Sequence, residues 1–401
     1  MPNVCFYFQV HQPWRLRQYS LFEVGENHDH FSDDLNGRVM KKVAAKCYLP
    51  ANRLMLELIH RHRGRFMIAY SISGVAIEQM KRFAPEVLDS FRELAATGCV
   101  EFLGETCYHS LAALADEEEF KLQVREHSEM VVSTFGQQPR VFRNTELIYN
   151  DRIGELASQL GFAGIAAEGA DDVLGWRSPN YLYRHPGTGL RLFLKNYKLS
   201  DDVAFRFSNR GWPEFPLTAE KYARWLHAVS GGGEIVNLFM DYETFGEHQW
   251  QETGIFEFMR ALPAQLFTKA DWGFVTPSQA LGCAQPVSEM SFARTVSWAD
   301  TERDVSAWLG NELQHEAFKR LYELGPDLRK RNNPAALGMW RRLQTSDHFY
   351  YMCTKWYADG DVHAYFSPYE SPYEAFINFM NVLADLRQSV LWQRNTTAGI
   401  A

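Results

Sequence analysis

Paired cysteines are missing from this 401-residue chain. The six cysteines stand at 5, 47, 99, 107, 283 and 353, with no CxxC among them. Such scatter argues against a disulfide framework and fits reduced thiols in a cytoplasmic protein. Long apolar runs are missing too. Val4–Val10 stops at His11-Gln12-Pro13, too short for a signal peptide and far too short to cross a membrane. No run of five like charges occurs, and the net charge of −8 is diffuse. That balance argues against a phosphate backbone as the main partner, and with the short apolar runs neither nucleic acid nor membrane is expected. No glycine-rich phosphate loop follows an early strand; Gly231-Gly-Gly233 precedes one and reads as a turn. Repeats and low-complexity stretches are absent. What is present is ordinary globular composition, 46% hydrophobic and 22% charged, enough for a large core.

The first two-thirds alternates apolar strands with amphipathic helices. Strands are expected at Val4–Val10, Arg65–Ile72, Cys99–Leu103, Arg140–Phe142, Gly164–Ala167, Leu192–Leu194, Ile235–Met240 and Gly273–Val275. Helices are expected at Pro85–Thr97, Asp116–Phe135, Asp151–Leu160, Thr218–Val229 and Thr253–Phe267, with Asp116 and Glu119 placed as a capping box. Such alternation implies parallel strands, and seven or eight of them a closed or nearly closed barrel. A doubly wound open sheet is the rival architecture. Beyond about residue 290 strands give way to helical periods. Val305, Leu309, Leu313, Ala317 and Leu321 mark one helix. Phe349, Met352, Cys353, Trp356 and Tyr357 mark a second. Tyr373, Phe376, Ile377, Met380, Leu383 and Val390 mark a third. Two regions follow: a barrel over 1–285 and a helical bundle over 286–401 that caps or flanks it. The tail from Asn395 is expected to fray.

The apolar run Ile235–Met240 ends abruptly in Asp241, Glu243 and Glu247. A strand buried on both faces needs no carboxylate to end it, whereas barrel enzymes place their chemistry where parallel strands meet solvent. Asp241 and Glu243, two apart, point the same way from an extended backbone. Val141-Phe-Arg-Asn-Thr-Glu146 repeats the arrangement. Two carboxylates from two strand ends suggest an acid with a nucleophile, or an acid with a base; the structural alternative for Glu146 is a salt bridge with Arg143. Further polar groups close other strands: His11-Gln12-Pro13, Ser71-Ile-Ser-Gly74, Glu105 to His109, Glu168 to Asp171, and Ser200-Asp-Asp202. Singly each reads as a cap or turn; together they point to one face.

His11 and His109 follow strands, and His28-Asp-His30 and His60-Arg-His62 add imidazoles. A barrel metal site pairs ligands as HxH directly after a strand or HxxxH on a helix; His28 lies well past the first strand and position 113, four after His109, is Ala, so hydrogen bonding to a polyhydroxylated ligand suits these histidines better. Trp14, Tyr108, Trp176, Trp212, Trp250 and Trp298 lie beside polar segments, where an aromatic face can stack on a sugar ring. Asp347-His348 interrupts an apolar helix, as a tie to the barrel or a substrate contact.

Five of these segments, in order, resemble glycoside hydrolase family 57, in its alpha-amylase-like branch. They are His11-Gln-Pro13, Gly98-Cys-Val-Glu101 through Tyr108-His109, Phe142-Arg-Asn-Thr-Glu146, Phe239-Met-Asp241-Tyr-Glu-Thr-Phe-Gly246, and Trp298-Ala-Asp300 continuing to Asn311. The resemblance implies an incomplete TIM-like (β/α)7 barrel with a C-terminal helical bundle. It also implies retaining chemistry on an α-glucan or maltooligosaccharide, with no metal or organic cofactor. By position Glu146 resembles the family's nucleophile and Asp241 its general acid/base. His11, Glu101, His109, Trp298 and Asp300 resemble its donor-subsite residues. Position 109 departs from branches that carry a carboxylate there. The family includes hydrolases, glucanotransferases, branching enzymes and galactosidases. The implied activity is alpha-amylase-type cleavage; a 4-α-glucanotransferase, a metal-dependent polysaccharide deacetylase on a similar barrel and a non-catalytic glucan-binding protein are the alternatives. Oligomeric state is not readable.

Overall fold

The computed structural model describes residues 2–355 and 367–397, of which 390–397 are followed as backbone only. Nine strands form one sheet: β1 (Asn3–Val10), β2 (Ile68–Ile72), β3 (Val100–Phe102), β4 (Val141–Arg143), β5 (Gly164–Glu168), β6 (Tyr183–Arg184), β7 (Arg191–Lys195), β8 (Ile235–Asp241) and β9 (Gly273–Phe274). Seven run parallel in the order β3-β2-β1-β8-β7-β5-β4, with β6 antiparallel on β7 and β9 beside β1. The two ends of that path meet where Gly104 bridges Phe142. The seam between β7 and β8 is equally thin, a single pair, Lys195 with Asn237. This is the incomplete (β/α)7 barrel that the family resemblance implies, and it agrees with the nearly closed barrel expected from the alternation of elements. β1 and β8 lie side by side over their full lengths, Asn3 opposite Ile235 through Gln9 opposite Asp241. Both are buried almost throughout, which is why they read as continuous apolar runs.

The helices form where the sequence supplies caps. Asp116 accepts from the Glu119 amide to start Glu117–Phe135, which ends at Gly136 in the left-handed conformation. The reciprocal half of the expected capping box is not made: Glu119 turns to Gln123 and Arg341 instead. Ser73, Asn150 and Thr218 cap three further helices in the same way.

The C-terminal region departs from the three helices expected. Its described residues hold six: Ser306–Leu309, Glu312–Glu323, Gly325–Arg331, Pro334–Leu343, Ser346–Tyr350 and Pro372–Thr397. The four-residue recurrence from Val305 to Leu321 spans a break, because the Asn311 side chain caps a new helix rather than continuing the old one. The helix through Phe349 stops at Tyr350; Trp356 and Tyr357 fall outside the described residues. On the last helix Tyr373 and Ile377 face solvent, and Ala375, Phe379, Val382, Leu383 and Leu386 face inward. That helix continues through Asn395 to Thr397, and 398–401 fall outside the described residues. One apolar cluster joins Phe142, Ile165 and Leu192 of the barrel to Leu321, Trp340, Phe349 and Phe379 of the bundle. Among the described residues no helix is long and apolar enough to cross a membrane.

Candidate active site

Polar residues leave the barrel at the C-terminal ends of its strands. His11 follows β1, Ser71 and Ser73 end and follow β2, and Glu105 and His109 follow β3. Glu146 follows β4, Glu168 ends β5, and Asp241 ends β8. Asp201, Ser200 and Asp202 sit in the helix after β7. The bundle completes the ring. Ser346 donates to one oxygen of Glu146 at 2.9 Å, and the Trp298 indole donates to the other at 2.8 Å. Asp347 lies 2.9 Å from Nε2 of His11, whose Nδ1 meets Ser73 at 2.7 Å. His11 and His109 stack with centroids 4.0 Å apart. His109 reaches Glu105 at 2.9 Å through Nδ1 and Glu146 at 3.4 Å through Nε2. The imidazoles are thereby committed to neighbouring side chains.

The backbone here is strained. Of the seven non-glycine residues with positive φ among the described residues, five belong to this site or its rim: His109, Glu146, Leu147, Asp300 and Arg303. Such conformations are unfavourable by about 1–3 kcal/mol each and gather where surrounding contacts over-determine them, commonly at functional sites.

The two carboxyls of interest are driven apart electrostatically. Burial works to raise Glu146, but the His109 hydrogen bond and charge, with the Arg143 charge, outweigh it and hold the group below the ordinary 4.5. Burial also raises Asp241; here the Glu146 charge adds to it, and the group is pushed up to about 6 against the pull of Arg143, Lys195 and His109. Glu243, buried behind Asp241, is pushed up to about 8 by burial and the Asp241 charge, although the Tyr48 hydroxyl donates to it. His109, despite burial, is raised to about 9 by its two carboxylates. Asp347, despite burial, is held down to about 2 by His11. Of these two carboxyls Glu146 is the one held ionised and Asp241 the one that can keep a proton, and the Glu146 charge acts on Asp241.

Several expected residues take other places. Glu101 sits lower in the barrel, opposite Ala69, and accepts from the amide and hydroxyl of Ser278 at 2.8 and 2.7 Å. It caps the helix Pro277–Cys283, which packs Ala280 against Cys5 and Ile235 at the end where the strands begin. Trp14 and Tyr108 form a separate buried cluster with Val75 and Cys107, bonded to Glu78 and Glu126. Neither ring offers a face to a sugar. Gln12 lies 3.5 Å from the Tyr48 hydroxyl, behind Glu243, and carries Arg15 on its carbonyl. Asp300 follows Trp298 in the same loop, with Lys355 at 3.6 Å. Trp298 itself has Arg143 at 4.8 Å and Lys195 at 5.4 Å from its ring centroid, so cations already occupy ring surface there. Glu105 belongs to the strand-end polar groups expected at this face, whereas Arg143, Lys195 and Ser346 are site residues that the sequence reading misses. Arg143 and Lys195 each end an apolar strand, the same signal that marked Asp241, and Ser346 adjoins Asp347. Two surface hollows, of about 470 and 350 Å³, lie beside Val124 and Phe162 and beside His28 and Asp385; neither includes Glu146 or Asp241.

Comparison with known proteins agrees with this architecture. A protein of Methanocaldococcus jannaschii named "Putative alpha-amylase" is 45% identical over 399 residues, covering 95% of this chain and 83% of its own. Among solved structures, a GH57 branching enzyme from Thermococcus kodakaraensis superposes with a TM-score of 0.69 at 13% identity, over 96% of this chain and 90% of that one. A 4-alpha-glucanotransferase from Thermococcus litoralis superposes with a TM-score of 0.62 at 16% identity, over 86% of this chain and 54% of that one. The sequence profile of "Glycosyl hydrolase family 57" matches residues 5–292, and the chain belongs to that family.

Proposed function

We propose that this protein is a retaining, α-glucan-active glycoside hydrolase of the alpha-amylase type, cleaving α-1,4-glucosidic bonds with Glu146 as nucleophile and Asp241 as general acid/base. The observation that carries the reading is the placement of these two carboxyls at strand ends of one barrel face, with both oxygens of Glu146 fixed by Ser346 and Trp298 and His109 beside it; the downward displacement of Glu146 and the rise of Asp241 to about 6 agree with it. A nucleophile must be ionised while its partner still holds a proton. Glu146 attacks the anomeric carbon, and Asp241 gives its proton to the departing glycosidic oxygen. Asp241, now an anion, takes a proton from water as the water oxygen displaces Glu146 from the anomeric carbon, so configuration is retained. His109 keeps Glu146 charged; Ser346 and Trp298 fix its oxygens. The His11–Asp347 pair, beside it, is suited to meet sugar hydroxyls. The reading includes the division at residue 285, and the free thiols of Cys5, Cys47, Cys99, Cys107 and Cys283 support a cytoplasmic setting.

The test is product analysis on maltooligosaccharides and amylose with the parent and Glu146→Gln. The parent releases shorter glucans with retained configuration; the variant folds and does not turn over. Near-parental activity in the variant removes Glu146 from the mechanism. Products longer than the substrate assign a 4-α-glucanotransferase instead, and binding without cleavage assigns a glucan-binding protein.

A further inference from the structure

The last residue of β4, Arg143, is fully buried. All three of its guanidinium nitrogens lack a hydrogen-bond partner, and no carboxylate lies within ion-pair distance of them among the described residues. Its close contact is the ring of Trp298, 4.8 Å from the guanidinium carbon. The same indole donates to Glu146 at 2.8 Å, with His109 3.4 Å from that carboxylate, and the charge of Arg143 acts on the Tyr7 phenol from β1, Glu105 after β3, Glu146 after β4 and Asp241 from β8. Lys195 from β7 reaches the same indole ring. A buried cation without an acceptor is unfavourable by several kcal/mol in general. Nothing in the packing requires an arginine there, since Val141 and Phe142 before it are apolar core.

We propose that Arg143 is a positioning residue for the two-carboxylate reaction: a guanidinium held on the Trp298 ring so that Glu146 and Asp241 share its charge and neither captures it. The inference rests on the roles given above to those two groups. In the resting pair Glu146 is an anion and Asp241 is protonated, a total charge of −1. As Glu146 forms its bond to the anomeric carbon and the glycosidic C–O bond breaks, Asp241 loses its proton to the leaving oxygen. The total stays −1, but the charge has moved from residue 146 to residue 241. A guanidinium bidentate to one carboxylate would favour one end of that transfer and oppose the other. One that faces both serves both ends, and an arginine stays charged throughout the working pH range. The π face of Trp298 is a suitable holder, because it attracts the cation without supplying an acceptor.

The test compares Arg143→Met, Arg143→Gln and Arg143→Lys in the full chain, with folding checked by circular dichroism. The readouts are kcat and KM on a maltooligosaccharide across pH, and covalent labelling by a 5-fluoro-α-glucosyl fluoride. Loss of the shared cation raises both carboxyls, so in the Met and Gln variants both limbs of the pH profile move to higher pH, by roughly one unit or more. Their kcat falls roughly 100-fold, with KM changed far less. Arg143→Lys returns the profile part of the way. Parental pH limbs in a folded Met or Gln variant overturn the proposal. So does a Lys variant as impaired as Met with its limbs unmoved, which would assign shape rather than charge. If the Met variant does not fold, the Gln and Lys variants decide by the same limbs. Failure of the parent to be labelled at Glu146 overturns instead the two-carboxylate reading beneath.

Discussion

His109 carries the proton whose energetics the structure defines best. Two carboxylates, Glu105 at 2.9 Å and Glu146 at 3.4 Å, outweigh its burial and raise it from 6.5 to about 9. The unfolded chain releases this proton near 6.5 and the native protein near 9. Between those values the native state binds one more proton, so the unfolding free energy falls by about 1.4 kcal/mol per pH unit. The contribution is therefore on the order of 3 kcal/mol. It is fully present below pH 6.5 and lost as pH rises through 9. Glu105, held down to about 2 with His109 as partner, reports the same contact from the other side and is not added to it. Other groups give the parent its own slope. His248 and His348, pushed down to about 4 by burial, make stability rise with pH up to about 6.5. The buried thiols of Cys5, Cys47 and Cys107 are raised, so above their unfolded range stability falls again. The informative quantity is thus a difference between parent and His109→Gln, measured by urea unfolding at steps from pH 6 to pH 9. Glu105 keeps Ser71 and Gln9 as donors in the variant, which holds its charge in place. The expected gap is about 3 kcal/mol at pH 6, narrowing by about that amount at pH 9. A gap independent of pH would mean a neutral imidazole and would refute the argument.

The free enzyme's kcat/KM should follow a bell in pH, since Glu146 must be ionised and Asp241 protonated. Activity rises as pH passes the depressed value of Glu146 and falls as it passes about 6, the value for Asp241; a bell centred above pH 8 contradicts the assignment. Asp241→Asn should lower kcat on maltooligosaccharides by roughly 10²–10⁴, yet still react with an α-glucosyl fluoride, whose leaving group needs no proton; unimpaired glucan cleavage would exclude the role. Ser278→Ala removes a donor to Glu101 and should lower stability by about 1–3 kcal/mol with kcat/KM unchanged. A several-fold rise in KM would return Glu101 to the cleft. Trp14→Ala should destabilise by about 3–5 kcal/mol without altering KM on short glucans, because its ring is enclosed by Phe31 and Phe83.

The barrel was legible because its strands obey a strong local rule. Ile235–Met240 is apolar apart from Asn237 until it reaches Asp241, and a similar transition marks Val4–Val10, apolar apart from Gln9, before His11. Two-residue β6 carries too little pattern to be read, and it exists because β7 offers an edge. The bundle was less legible: an unbroken four-residue recurrence hid the turn at Gly310-Asn311, since a capping side chain outranks periodicity. For the site, position along a strand separates the cases. Residues just past a strand end, such as Glu146, His11 and His109, meet one another. Glu101 lies within a strand and faces the closed end of the barrel. Trp14 and Tyr108 lie past strand ends but fold away, and no spacing rule distinguishes an aromatic that turns outward from one that turns back into a cluster.

Strain and burial tie the bundle to the proposed site. Glu146, Leu147 and His109 hold positive φ angles that isolated loops would relax. Three bonds from one short segment prevent it: the Ser346 amide to the His109 carbonyl at 2.9 Å, the Thr345 hydroxyl to the Tyr108 carbonyl at 2.9 Å, and the Ser346 hydroxyl to Glu146 at 2.9 Å. The next residue, Asp347, fixes His11 against His109. Residues 345–347 are in turn positioned by the apolar cluster that joins Phe349 and Trp340 to Phe142 and Ile165. The barrel supplies the carboxyls, but the backbone conformation that aims one of them depends on contacts from 200 residues further along the chain. If the chain divides at residue 285, as proposed, the two parts do not have separate activities, since residues 1–285 alone leave Glu146 without the serine and tryptophan that hold both of its oxygens.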